Sequence, residues 1–223
     1  MEPSDIYAAC RGRLLALAPT LDAGRVAAPL AATPPWTVLD GYRHLAGVCS
    51  DVLDGLTDGA GSPAWTAAQL AGRAGCTLAD VCAEWARRGP DMDARIAAAG
   101  RAMAFAAFDA WTHEQDIRAA VGLAGQRDEP AVPALASLAM ATFAARYGAS
   151  GAPAVEVAVD GTPYRLGGGE PDVSLRTSSY EILRIVFGRR SRRQVEAADW
   201  TGPRDPVVDA LHLFDHPGRD IAD

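Results

Sequence analysis

The chain has 223 residues, of which 49% are hydrophobic, and a formal net charge of −7. Its length suffices for one large domain or two modest ones with a substantial core. The acidic balance argues against general nucleic-acid binding, which needs a basic surface, and all 21 basic residues are arginines spread along the chain.

Apolar residues at helical spacing occupy most of the first 147 residues. Ser4 is the expected N-cap of the first helix and Thr77 that of the fourth, and Gly89-Pro90 is expected to interrupt the fourth. Four long helices and one or two short ones favour an up-down bundle. The predicted helices cover residues 4–18, 36–56, 64–73, 78–96, 105–121 and 130–147.

The apolar period changes from 3.6 to 2 after residue 153. Val155, Val157 and Val159 alternate with other residues, Asp160-Gly161 is a hairpin signal, and 164–166 begins the return strand. A third strand is expected at 172–176 and a helix at 180–187, capped by one of the preceding serines. These elements predict a small α+β domain.

Asp109 and His113 lie four residues apart in the segment Phe-Asp-Ala-Trp-Thr-His-Glu-Gln-Asp-Ile-Arg, residues 108–118. On a helix this spacing places both side chains on one face, about 6 Å apart at Cβ. His44, on the second predicted helix, is a candidate third ligand for a metal with an open coordination position. The alternative is a hydrogen bond from either histidine to Asp109 without a metal. An unpaired carboxylate among the neighbouring aromatic residues would be costly to bury.

The four cysteines lack the spacing of a zinc site and indicate buried thiols in a reducing compartment. No signal peptide precedes the first helix, and no apolar run approaches about 18 residues free of charge. We therefore expect a cytoplasmic protein without a membrane segment. The cysteines are Cys10, Cys49, Cys76 and Cys82.

Two further clusters carry weaker signals. His212 and His216 are also four apart, but Pro217 follows at once and no third ligand is near, so we interpret the pair as coincidental. The arginine run at 189–193 follows a predicted helix, where arginine complements the helix dipole.

Three features together resemble one known family over almost the whole chain. They are a helical bundle with a single histidine on its second long helix, the 108–118 segment, and the segment Val-Phe-Gly-Arg-Arg-Ser-Arg at 186–192. The combination resembles the mycothiol-dependent maleylpyruvate isomerase family. That resemblance implies a mainly α fold, with a DinB-like four-helix bundle over residues 1–149 and a small α+β, sterol-carrier-like domain over 150–223.

The resemblance also implies a site. By motif, His44, Asp109 and His113 would hold a divalent metal, usually zinc, and the thiol cofactor would be mycothiol. An arginine of the C-terminal domain, for which Arg189 is the candidate, would face the metal cleft and hold a substrate carboxylate. The isomerase usually has glutamate where this chain has the shorter Asp109. The resemblance therefore implies membership of the broader family more strongly than it implies the isomerase reaction itself.

The expected function is isomerisation or S-transfer on a small electrophile, with a metal-bound thiol as nucleophile. Its partners would be a small-molecule thiol and that substrate, with neither nucleic acid nor membrane, and the chain would be a monomer or a homodimer. Two alternatives stay open. One is a hydrolase that uses metal-bound water, and the other is a non-catalytic protein that binds an apolar ligand.

Overall fold

The computed structural model describes residues 1–223 and is mainly helical. Ten helices and one four-stranded sheet form two compact units, Met1–Gly125 with Asp223, and Gln126–Ala222. The helices are α1 Pro3–Leu17, α2 Ala23–Val26, α3 Val38–Asp54, α4 Pro63–Gly72, α5 Leu78–Ala99, α6 Ala104–Ala120, α7 Ala131–Ala149, α8 Ser179–Val186, α9 Arg192–Glu196 and α10 Asp205–Val208. The strands are β1 Val155–Val159, β2 Thr162–Leu166, β3 Val173–Thr177 and β4 Asp199–Thr201. None of the helices has both the length and the apolar character needed to span a membrane.

Four long helices make up the core of the first unit. Helices α1 and α3 each pack against both α5 and α6, and the short α4 packs on α3. Polar tips inside this core are paired: the Trp85 indole N–H donates to the Tyr7 hydroxyl, and the Tyr42 hydroxyl donates to the Leu14 carbonyl. Large side chains with almost no exposed surface fill it, namely Ile6, Tyr7, Leu14, Tyr42, Leu45, Trp85, Met92 and Trp111.

The helix starts follow local capping chemistry. Thr77 caps α5 as predicted, in a reciprocal capping box with Asp80. Thr37 and Asp40 form the same arrangement at the start of α3. The prediction of Ser4 as the N-cap of α1 is wrong. Glu2 holds that position, because Pro3 is favoured as the first helical residue.

The predicted interruption at Gly89-Pro90 is also wrong, since α5 runs through both residues. Gly89 instead permits close packing between α1 and α5. A Cβ added there would clash with the guanidinium of Arg11, which forms an ion pair with Asp93 one turn further along α5. Packing on both α1 and α3 holds α5 helical across the proline.

The second unit contains the sheet, in the strand order β2-β1-β3-β4. The predicted hairpin joins β1 to β2, and both of its turn residues have positive φ, 46° at Asp160 and 82° at Gly161. Strand β3 pairs parallel to β1, and β4, which the sequence pattern did not indicate, pairs antiparallel to β3. The buried strand residues are Val155, Val157, Val159, Leu166, Val173 and Leu175.

Helix α7 belongs to the second unit, where it packs on α8 and β2. The compact units therefore divide after Gly125, earlier than the boundary at residue 149 expected from the change of period. The Tyr147 hydroxyl at the end of α7 donates to the Pro153 carbonyl, which ties the helix to the segment entering the sheet. Helical periodicity shows that α7 has an apolar face but not which neighbour covers that face.

A buried ion pair joins α1 to α6. Glu114 has no exposed surface, and both of its carboxylate oxygens accept from Arg13, from Nε at 2.6 Å and from Nη2 at 2.7 Å. Bidentate pairing of this kind satisfies both oxygens of a carboxylate. It thereby helps to fix the position of α6 in the unit.

We expect Arg13→Leu to lower the free energy of unfolding by about 2–4 kcal/mol. Removing one partner of a buried pair costs about 3–5 kcal/mol, and the 24% exposure of the Arg13 side chain reduces that figure. The matched control is Arg88→Leu, whose partner Asp54 is 49% exposed, and this change should lower the free energy of unfolding far less than Arg13→Leu. Urea unfolding monitored by circular dichroism measures both, and equal losses would contradict the prediction.

Candidate metal centre

Two helices bring the three predicted ligands together. His44 projects from α3, and Asp109 and His113 project from one face of α6. One ligand atom from each residue lies within 4.8 Å of the other two. Oδ1 of Asp109 lies between the histidines, 3.4 Å from Nε2 of His44 and 3.6 Å from Nε2 of His113.

These distances suit a small divalent ion. Zinc binds nitrogen and oxygen ligands at about 2.0–2.2 Å, so tetrahedral neighbours lie about 3.3–3.6 Å apart. The two spacings that involve Asp109 fall close to that range. Two imidazoles and one carboxylate are also a donor set that divalent transition metals accept with positions left open.

The site lies largely away from solvent. His44 and His113 are each only 5% exposed, and Asp109 is partly exposed. Trp36 lies beside both imidazoles, with ring centroids 5.1 Å from His44 and 5.7 Å from His113, nearly parallel to the latter. Its indole therefore limits the movement of both rings.

The second nitrogen of His44 also has a partner. Nδ1 lies 2.8 Å from Oε1 of Gln69, and Nε2 of Gln69 donates to Oδ2 of Asp51 at 2.8 Å. Sequence reasoning missed Gln69 because a single glutamine in a short alanine-rich helix gives no signal of its position in the fold.

Nδ1 of His113 faces a carboxylate. Oδ2 of Asp116 lies 3.5 Å away, one turn along the same helix. Residues three apart on a helix lie on the same face, which places the two groups together. Both imidazoles thus direct Nε2 towards Asp109 while Nδ1 faces another polar group.

Arg189 lies in the second unit, directly after the glycine that follows α8. It is 7% exposed, its Nη1 donates to the Phe187 carbonyl, and its backbone N–H donates to the Arg184 carbonyl. The buried Arg190 donates to both carboxylate oxygens of Glu181, from Nε and from Nη2. The first two arginines of the run are therefore built into the unit, whereas the side chain of Arg193 is 81% exposed.

The His212 and His216 rings lie 4.2 Å apart between centroids. Burial, together with the neighbouring His216, lowers the pKa of His212. Nδ1 of His216 lies 3.0 Å from the Arg190 carbonyl oxygen. The pair belongs to no group of three potential metal ligands.

Two of the chain's four thiols are poor nucleophiles at neutral pH. Burial raises the pKa of Cys49, and burial raises that of Cys82 to about 11. All four cysteines are free of disulfides. Since the thiolate is the reactive form, neither thiol is suited to attack a substrate.

The fold is similar to that of a known enzyme. The crystal structure of the mycothiol-dependent maleylpyruvate isomerase matches 84% of this chain and 88% of its own, with a TM-score of 0.53 and 11% sequence identity. A histidine-to-alanine mutant of that isomerase matches equally. No protein-family model matches this chain, and no curated protein does. The structural resemblance predicted from the sequence is confirmed at the level of the fold.

We expect Cys82 to resist alkylation near pH 8. A pKa of about 11 leaves about 0.1% of the thiol ionised at that pH, and the ionised fraction rises about tenfold for each pH unit until the pKa is approached. Iodoacetamide labelling from pH 7 to 10, followed by peptide mass spectrometry, measures the rate at each cysteine. A Cys82 rate that reaches a plateau below pH 9 would contradict the prediction.

Proposed function

We propose that this chain is a cytoplasmic, metal-dependent enzyme of the mycothiol-dependent maleylpyruvate isomerase family. It would use a low-molecular-weight thiol, mycothiol, either to isomerise a small electrophile or to form a thioether with it, by addition or by displacement of a leaving group. The observation that carries the proposal is the convergence of His44, Asp109 and His113 within a fold that matches the isomerase over most of both chains. In this view α1, α3, α5 and α6 form a DinB-like four-helix bundle.

The metal would be held by Nε2 of His44, Nε2 of His113 and Oδ1 of Asp109, the atoms that already face one another. A divalent ion such as Zn²⁺ supplies Lewis acidity and lowers the pKa of a coordinated thiol. The three side chains contribute one negative charge, so the centre with Zn²⁺ is cationic and favours a thiolate. Burial of the histidines reduces competition from water.

The thiol would come from outside the chain. Cys49 lies on α3 with His44 but is fully buried in the core, and burial raises its pKa. The shorter Asp109, in place of glutamate, keeps the charge of the donor set and changes only its reach. Arg189 is proposed, by the resemblance, to bind a substrate carboxylate through its guanidinium.

Metal content is the first test. Elemental analysis of untagged wild-type protein, offered zinc and then dialysed, should find about one zinc per chain. His113→Ala and Asp109→Asn should each lose most of it, because the remaining two ligands hold the ion far less tightly. The matched control is His212→Ala, which removes a histidine outside the site and should keep the zinc.

Two results would contradict this proposal. Wild-type protein that holds no zinc or other divalent metal would remove the catalytic assignment and favour the binding-protein alternative. Equal losses in His113→Ala and His212→Ala would show that the bound metal lies elsewhere. Thermal unfolding of each variant separates loss of a ligand from loss of the fold.

Thiol dependence is the second test. We expect the zinc-loaded protein to convert a cis-configured α,β-unsaturated keto acid to its trans isomer, or to form its thiol adduct, only when mycothiol is present. Arg189→Lys should raise KM for a carboxylate-bearing substrate, because lysine lacks the planar two-point contact of a guanidinium. Absorbance of the conjugated substrate and mass spectrometry of adducts provide the measurements. Chelator-sensitive hydrolysis without any thiol would instead establish the hydrolase alternative.

A further inference from the structure

We propose that Gln69 is a positioning residue that fixes the tautomer of His44, so that Nε2 keeps its lone pair free for the metal. This inference rests on the proposed function, in which His44 is a metal ligand. It extends the centre from three residues to a hydrogen-bonded series in which Asp51 pairs with Gln69 and Gln69 pairs with His44.

The chemistry of the three side chains determines which group donates and which accepts in each of these hydrogen bonds. The carboxylate of Asp51 only accepts, so the group that Gln69 turns towards it must be its amide nitrogen. The amide oxygen of Gln69 then faces His44 and also accepts. Nδ1 of His44, 2.8 Å from that oxygen, must therefore carry the proton. A neutral imidazole protonated at Nδ1 has its lone pair at Nε2, the atom directed at Asp109.

Packing supports a dedicated role for Gln69. It is only 2% exposed, and it is the single buried residue of α4. A short surface helix usually buries an apolar face, whereas α4 inserts a polar amide. Burying an amide is costly unless its hydrogen bonds are made, and here both ends of the amide are paired.

Gly47 of α3 makes the approach of Gln69 possible. A Cβ added at Gly47 would lie 2.7 Å from Cβ of Gln69, which is shorter than the distance that Cβ atoms keep from other atoms in real structures. Gly47 and His44 are three residues apart on α3, so the gap lies next to the imidazole. The contact brings α4 close enough for its amide to reach Nδ1.

The competing explanation is that Gln69 only attaches α4 to α3. In that case its removal would lower stability without changing the imidazole or its affinity for metal. A tautomer measurement on metal-free protein separates the two roles, and it does not depend on activity or on zinc.

The first readout is the ¹⁵N chemical shifts of the His44 ring, from two-bond correlation spectra of metal-free protein above the histidine pKa. We expect Nδ1–H in the wild type and a mixture or Nε2–H in Gln69→Leu. Thr66→Ala, one turn earlier on α4, is the matched control and should leave the tautomer unchanged. A wild-type His44 protonated at Nε2 would overturn the inference.

The second readout is zinc affinity by competition with a chromophoric chelator. Gln69→Leu should weaken it by about 10–100-fold, as loss of a hydrogen bond to a ligating histidine does. Gln69→Glu should also weaken it, since it places two carboxylates against each other. The double change Gln69→Glu with Asp51→Asn restores a donor facing an acceptor, and should return the affinity to within about tenfold of the wild type.

Failure of the proposed role of Gln69 and failure of the proposed metal centre give different results in these experiments. Unchanged zinc affinity in Gln69→Leu, or no recovery in the double variant when its thermal unfolding matches that of the wild type, would overturn the role of Gln69. An Nδ1–H tautomer in a wild type that binds no zinc would overturn the metal centre itself.

Discussion

Five consecutive polar residues of α6 are buried, from Thr112 to Asp116, and much of the first unit is arranged to satisfy them. Successive helical residues point about 100° apart, so this stretch needs polar partners on several sides of the helix. Arg13 reaches Glu114 from α1, and His44 on α3 lies beside His113, with ring centroids 4.9 Å apart. An unpaired polar group costs more when it is buried than a paired one stabilises. The need to pair the buried polar side chains of α6 therefore constrains where α1 and α3 can lie.

In the candidate centre, too, buried polar side chains are placed next to other polar groups. Each imidazole directs Nε2 at Asp109 and has a polar group beside Nδ1, the Gln69 amide in one case and Asp116 in the other. Trp36 lies against both rings and restricts their rotation. Ligands held in this way lose little conformational freedom when an ion binds. The arrangement is thus organised by interactions within the chain itself.

The surroundings of the thiols and of the centre differ in a way that suits the proposed chemistry. Burial raises the pKa of Cys49 and Cys82 and keeps them as neutral thiols, whereas the proposed centre would favour an ionised thiol. The chain would then provide the electrostatic environment and a second molecule the nucleophile. Under the proposed function, this division would let a cysteine-containing protein use an external thiol.

Local patterns in the sequence determined the seven longest helices, the Thr77 cap, the Asp160-Gly161 hairpin and the pairing of Asp109 with His113 on one face, because each depends on residues within a few positions of one another. They did not indicate the short helices α2, α9 and α10. The four-residue spacing, together with a histidine on an earlier helix, also indicated all three members of the candidate centre. Only the tertiary structure decided that α5 continues through Pro90, that α7 packs with the sheet, and that β3 lies parallel to β1. It alone brought Gln69 to His44 and Arg13 to Glu114, across 25 and 101 positions. Such contacts depend on which helix faces meet, and periodicity within one segment does not record the identity of its neighbour.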